Sequence, residues 1–318
     1  MKIFIFCRDY VKLCRFSIKN NVSNMKNIIL SFVWSISFSA MANVCEIKDK
    51  QLCESAYKGI ADSQVSLGVI YSKGNGVKQD YHKAFEWYMK AAKQGNMKAQ
   101  FNLGVLYSHG NGILQDHQKA LEWYVKASEQ GYAKAQFNLG MVYFDGLGVK
   151  QNYQKAFMWY TKAAEQGLAI AQTNLGLMYD KGIGAKKDNQ KAFDWYMKAA
   201  QQGYDKAQFN LGMMYFDGQG VKQDYQEAFM WYKKAAEQGL AIAQFNLGVL
   251  FINGQGVQQN YQKASEWLMK ASEQGDARAQ FNLALLYSNG LGVEKDMEKA
   301  KYYFVKSCNG GLPNGCNM

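Results

Sequence analysis

Residues 99–131 read A-Q-F-N-L-G-V-L-Y-S-H-G-N-G-I-L-Q-D-H-Q-K-A-L-E-W-Y-V-K-A-S-E-Q-G, and the spacing of their apolar side chains decides the fold. Ala99, Leu103, Leu106 and Tyr107 fall at i, i+4, i+7 and i+8, the buried stripe of one helix. Gly110 and Gly112 break that helix, as glycines do at helix ends. Asp116 is placed to cap a second helix, whose stripe is Ala120, Trp123, Tyr124 and Ala127. Gly131 closes it. The unit is a helix, a turn and a second helix.

The same unit is written seven times. Gly59, Gly95, Gly131, Gly167, Gly203, Gly239, Gly275 and Gly311 lie 36 residues apart, as do Trp87, Trp123, Trp159, Trp195, Trp231 and Trp267, with Tyr303 in the last copy. Residues 144–172 and 216–244 agree at 25 of 29 positions, so a two-repeat block has been duplicated. The capping position holds only Asp or Asn: Asp80, Asp116, Asn152, Asp188, Asp224, Asn260 and Asp296. A fixed period of this length is the mark of a stacked repeat array rather than of separate cores. Gly104 and its equivalents stand inside the first helix in six of the seven copies. Glycine there costs about 1 kcal/mol relative to Ala, which predicts a close backbone approach between paired helices. Trp123 and its equivalents are expected to fill the space between neighbouring units as buried core.

Composition agrees with a folded array. The 318 residues are 48% hydrophobic and 20% charged, with 30 Gly against a single Pro, which excludes a disordered or proline-rich linker protein. The formal charge is +11, but residues 1–42 carry six basic groups and one acid, leaving +6 for the rest. No run of Lys or Arg and no recognisable nucleic-acid module appears, so nucleic acid is not expected as a partner.

The first 42 residues differ from the repeats. Met25-Lys26-Asn27 precedes the apolar run 28–38, and Ala40-Met41-Ala42 follows, the pattern of a secretory signal cleaved after Ala42. Translation is read as starting at Met25, with residues 1–24 an over-called leader. The run is shorter than the roughly 20 residues of a spanning helix, so no stable membrane insertion is expected after cleavage. Val44 before Cys45 does not suit a lipid anchor. The product is expected in the periplasm or outside the cell, with residues 43–59 as an N-terminal cap, 60–311 as the repeats and 312–318 as a C-terminal cap.

Cys45, Cys53, Cys308 and Cys316 then remain, an even number in an exported chain. Each pair is eight residues apart. On one straight helix that is about 12 Å, too far to bridge, so each disulfide needs a turn between its cysteines. The segment 310–315, G-G-L-P-N-G, supplies one. A zinc site is the alternative, but the two pairs lie at opposite ends of the array, and no metal is expected.

The combination L-G-x-x-Y, G-x-G-V, A-x-x-W-Y and K-A-A-x-x-G in a 36-residue period resembles the SEL-one-like repeat, a relative of the tetratricopeptide repeat. The resemblance covers about 250 residues. It implies an all-α, right-handed superhelical solenoid of seven helix-turn-helix repeats, with first helices on the concave face and second helices on the convex face. It also implies a scaffold or adaptor that binds protein or peptide. Exported relatives are associated with envelope assembly, signalling, motility and host interaction. A cysteine-rich exported branch carries a Cys-x7-Cys staple, and Cys308 and Cys316 fall at its positions; Cys45 and Cys53 lie in another register, aligned with Tyr81 and Met89. That branch has been linked to penicillin binding and weak β-lactamase activity, the alternative reading.

No seat for catalysis is visible. The G-x-G segments follow helices rather than strands and recur in every copy, so a turn explains them. His82, His109 and His117 read as solvated loop residues, and neither a catalytic residue nor a cofactor is expected. The candidate surface is the concave face, with Lys98, Phe101, Asn102, Val105 and His109 in the second unit. Asn102, Asn138, Asn174, Asn210, Asn246 and Asn282 recur there. An amide both donates and accepts, so this ladder either holds a bound peptide backbone or bonds to the neighbouring repeat. Lys98, Lys134, Lys206 and Arg278 would tilt one rim basic and hint at an acidic ligand.

Overall fold

The structure, a computed structural model, describes residues 46–317. The proposed leader, the signal peptide and Cys45 lie outside the described residues. The described residues divide into two compact units, one up to Ala127 and one from Ser128 onward. All regular structure among the described residues is helical.

The first unit holds α1 (Lys50–Tyr57), α2 (Ala61–Lys73), α3 (Tyr81–Lys93), α4 (Met97–His109) and most of α5 (His117–Glu129). Adjacent helices pack in chain order from α1 to α4. Leu67, Tyr71, Tyr88 and Leu103 form its core with small residues such as Ala56, Ala84 and Ala99. Cys53 is fully buried and disulfide-bonded.

The second unit holds α6 (Ala133–Asp145), α7 (Tyr153–Glu165), α8 (Ala169–Lys181), α9 (Asn189–Gln201), α10 (Asp205–Asp217), α11 (Tyr225–Glu237), α12 (Ala241–Asn253), α13 (Tyr261–Glu273), α14 (Ala277–Asn289) and α15 (Met297–Asn309). Each packs on the next, and a 3-10 turn, Pro313–Asn317, packs on α15. Cys308 and Cys316 join that turn to α15 with a Cα separation of 4.9 Å. The 13-residue helices are about 20 Å long, and no described helix is long and apolar enough to cross a membrane.

Capping works as the sequence predicts. Each Asp or Asn before a second helix accepts from the backbone N–H three residues on, at 2.9–3.0 Å, from Asp80–Lys83 in the first unit to Asp296–Lys299 in the second. That backbone N–H holds the carboxyls of Asp116, Asp188 and Asp296 below the ordinary carboxylate range. First helices end on a left-handed glycine, such as Gly110 (φ 71°) and Gly218 (φ 69°). The second glycine of five turns (Gly112, Gly184, Gly220, Gly256 and Gly292) has a further task, whereas Gly76 faces open space. A Cβ on Gly112 would lie 2.5 Å from Cβ of Tyr81, and one on Gly220 would strike the carbonyl of Asn189. The turn is thus pressed against the start of the preceding repeat's second helix.

Two core expectations need correction. Gly104, Gly140, Gly176 and Gly212 admit an aromatic ring rather than a backbone: a Cβ there would lie 2.5–2.8 Å from Tyr124, Tyr160, Tyr196 and Tyr232. These tyrosines are 2–3% exposed. Trp123, Trp159, Trp195, Trp231 and Trp267 are only half-buried, and Trp87 alone counts as core. One residue of helix turns the side chain by about 100°, so Tyr faces the partner helix and Trp its edge. The Lys three residues after each Trp lies over its ring at 4.0–4.3 Å.

A buried glutamine ladder ties the helices together. Gln64 donates to the Ala56 carbonyl at 3.1 Å and accepts from Gln94 at 2.8 Å. In the second unit Gln136, Gln172, Gln208 and Gln244 repeat both bonds, to Ser128, Ala164, Ala200 and Ala236 and from Gln166, Gln202, Gln238 and Gln274. Gln280 bonds to Ser272, but Gly310 stands where its donor would be, and its Oε1 is left without a partner.

Candidate functional site

The expected site residues all lie on the first helices, where an i, i+4 spacing puts each cation and its Asn on one face. In the first unit Lys98 is exposed and Asn102 half-buried on α4. Phe101 lies against Tyr124 at 6.0 Å between ring centroids. His109 is exposed, with Nδ1 2.9 Å from both the Ser108 hydroxyl and the Val105 carbonyl.

In the second unit Lys134 and Lys206 are exposed. Arg278 is engaged: its guanidinium pairs with Asp276 at 2.6 Å and lies 4.4 Å over the Phe245 ring. Asn138, Asn174, Asn210, Asn246 and Asn282 are half-buried. Asn174 lies beside the Tyr160 hydroxyl, and Asn246 beside that of Tyr232, so at those two positions the ladder approaches the neighbouring repeat at a tyrosine side chain.

Burial pushes the hydroxyls of Tyr160, Tyr196 and Tyr232 well above the ordinary phenol range, with Asp145, Asp180 and Asp217 respectively adding to the effect. Each tyrosine therefore has an aspartate near its hydroxyl end. Tyr196 and Asn210 line a cavity of about 250 Å³ with Leu177, Met213, Asp180 and Asp217.

Sequence reasoning missed the apolar and acidic members of this face. Met141, Leu177 and Met213 are exposed, at 37–40%. They occupy the position of Val105, three residues after each Asn, so the register could have found them. Asp145 and Asp217 occupy the position of His109. Nothing among the described residues resembles a metal centre: no three His, Cys, Asp or Glu side chains converge. His82, His109 and His117 stand on α3, α4 and α5 rather than in loops, and His82 lies 3.6 Å from Glu86 with both side chains exposed.

A run of antiparallel helix pairs, each held to the next by side chains at fixed register, defines a helical repeat protein of the α-solenoid class. The Sel1 repeat matches the sequence seven times, at residues 61–96, 98–132, 133–168, 169–204, 205–240, 241–276 and 277–312, and the chain belongs to that family. A protective antigen of uropathogenic Escherichia coli with this repeat fold is 36% identical over 85% of this chain, with a TM-score of 0.80. The chain spans 58% of the length of that antigen. A Sel1 repeat protein from Oxalobacter formigenes is 32% identical, covering 89% of this chain and 88% of its own, with a TM-score of 0.72. No curated protein matches. The Sel1 repeat fold mediates protein–protein interaction, and the family is as a class a scaffold rather than an enzyme.

Proposed function

We propose that this chain is an exported scaffold or adaptor that binds a protein or peptide segment on its first-helix face, the concave face in the family's fold. The observation that carries the reading is the surface of α6, α8 and α10. There half-exposed amides at Asn138, Asn174 and Asn210 lie one turn from the exposed apolar Met141, Leu177 and Met213. Amides that donate and accept beside adaptable apolar side chains suit an extended segment, whose backbone needs both kinds of partner. Export is supported by the signal-like segment ending at Ala42 and by the disulfides at Cys53 and at Cys308–Cys316. Envelope assembly, signalling and host interaction are the settings in which such a scaffold would act.

The test is affinity capture from an envelope extract with the full-length protein and with a variant carrying Asn138→Ala, Asn174→Ala and Asn210→Ala. Thermal melts of both proteins check that the variant is folded. A partner enriched by the parent and lost from the variant is the expected result. Equal capture by both would move the interface off this face, and no partner would end the scaffold reading. For export, the expected mature N-terminus is Asn43 in the periplasmic or secreted fraction; a product kept in the cytoplasm refutes it.

A further inference from the structure

The first-helix face of the second unit has a charge pattern opposite to the one its basic rim suggests. Asp145 and Asp217 are the last residues of α6 and α10, and neither helix has a basic residue in its last turn. A carboxylate there faces the negative end of the helix dipole, an unfavourable place for it. Neither has an ion-pair partner among the described residues. Asp180, in the last turn of α8, is paired with Lys181 at 2.9 Å. The exposed Lys134 and Lys206 stand at the opposite ends of α6 and α10, roughly 16 Å away along the helix. That exceeds the screening length of about 10 Å at moderate salt, so they do not cancel the acidic end. Between the two ends run Met141, Leu177 and Met213, and the cavity under Leu177 and Met213 opens beside Asp180, Lys181 and Asp217, of which Asp180 and Lys181 neutralise each other and Asp217 does not.

We infer that the face formed by α6, α8 and α10 takes a cationic, partly apolar peptide segment, with alkyl side chains on the Met141–Leu177–Met213 stripe and Lys or Arg side chains against Asp145 and Asp217. The inference rests on the reading of this face as a binding surface and names the chemistry of what it binds. Met and Leu at the seat accept varied alkyl shapes, while the two unpaired carboxylates select the sign of charge. Beyond residue 42 the chain has a formal charge of +6, so bulk electrostatics favours an acidic ligand. Preference for a basic one has to come from this local surface.

The experiment is fluorescence anisotropy with the full-length protein and labelled dodecapeptides. One alternates lysine with leucine, one glutamate with leucine, and one lysine with serine. The lysine–leucine peptide is expected to bind most tightly and to weaken as salt is added. It should lose about tenfold in affinity, about 1.4 kcal/mol, to the Asp145→Asn/Asp217→Asn variant. Met213→Ser should weaken it as well. Removing carboxylates from helix C-termini leaves the fold at least as stable, so an unchanged or higher melting temperature accompanies the loss. Equal or tighter binding of the glutamate–leucine peptide overturns the inference. So does equal binding of the lysine–serine peptide, full affinity in the double Asn variant, or no binding of any peptide. If the capture experiment still yields a partner dependent on the asparagines, the scaffold reading stands and only the charge assignment falls.

Discussion

Gly212→Ala probes the contact on which the repeat register depends. An alanine in mid-helix should stabilise α10 by about 1 kcal/mol through propensity alone. Its Cβ, however, would lie 2.6 Å from Cδ1 and 2.8 Å from Cε1 of Tyr232. Carbon atoms prefer about 3.5–4.0 Å, so the ring must retreat by about 1 Å. Tyr232 is only 3% exposed and packs among alanines that leave it little room. Overpacking of this kind costs about 1–3 kcal/mol. Set against the gain in propensity, the net expectation is a loss of up to about 2 kcal/mol.

The chain supplies a control for this expectation. Its seventh repeat carries Ala284 where the others have Gly, and there Phe304 stands in place of tyrosine. Shorter by the hydroxyl oxygen, that ring has room to sit further back. Adding Tyr232→Phe to Gly212→Ala should therefore recover part of the loss. Urea unfolding followed by far-UV circular dichroism measures both effects as shifts in midpoint at constant slope. A higher midpoint for Gly212→Ala would refute the ring contact. No recovery in the double variant would refute the hydroxyl as the restraint.

Alkali should unfold the second unit. Burial raises the hydroxyls of Tyr160, Tyr196 and Tyr232, so above about pH 10 the unfolded chain loses protons that the folded one keeps, and stability falls as pH climbs; ionisation of every tyrosine with the helices still intact would contradict this. Replacing both Cys308 and Cys316 by Ser should loosen the last helix by about 2–3 kcal/mol, seen as faster hydrogen exchange confined to residues 297–317; uniform loosening of the unit would disprove a local staple. Gln208→Leu removes one of the two bonds to the Ala200 carbonyl, which keeps that from the Gly203 N–H, and the bond from the Gln238 amide, and should cost about 1–3 kcal/mol, whereas Gln280→Leu should cost about 1 kcal/mol less because its Oε1 has no donor to lose. Equal melting-temperature losses would argue against the ladder.

The period, the helix pairs and the caps were legible because each follows from local chemistry: a glycine that must take positive φ, an Asp or Asn that must accept from a helix start, an apolar stripe. The depth of Tyr relative to Trp was not. Both are aromatic and adjacent, and only the packing angle of two helices decides which one meets Gly104 or Gly140. Gln100, Gln136 and their equivalents escaped for a similar reason. A polar residue beside an apolar stripe reads as solvated until the facing carbonyl eight residues back is in place. At the candidate site the asparagines stood out by recurrence. Asp145 and Asp217 did not recur in every copy, so the pattern that revealed the fold concealed them.

That contrast says where specificity resides. Across the seven copies the positions of Gln100 and Asp116 hold almost one residue type each; the first bonds one helix to another and the second caps its own. The position three residues after the first-helix Asn reads Val105, Met141, Leu177, Met213, Val249 and Leu285. The last position of the same helix reads His109, Asp145, Lys181, Asp217, Asn253 and Asn289. The first set keeps its apolar character and the second changes charge from copy to copy. Because neighbouring helices are held together by buried glutamines and tyrosine rings, the side chains at the last position are not needed to hold one repeat on the next. They are free to differ, and a partner is selected by which charge stands beside each apolar seat.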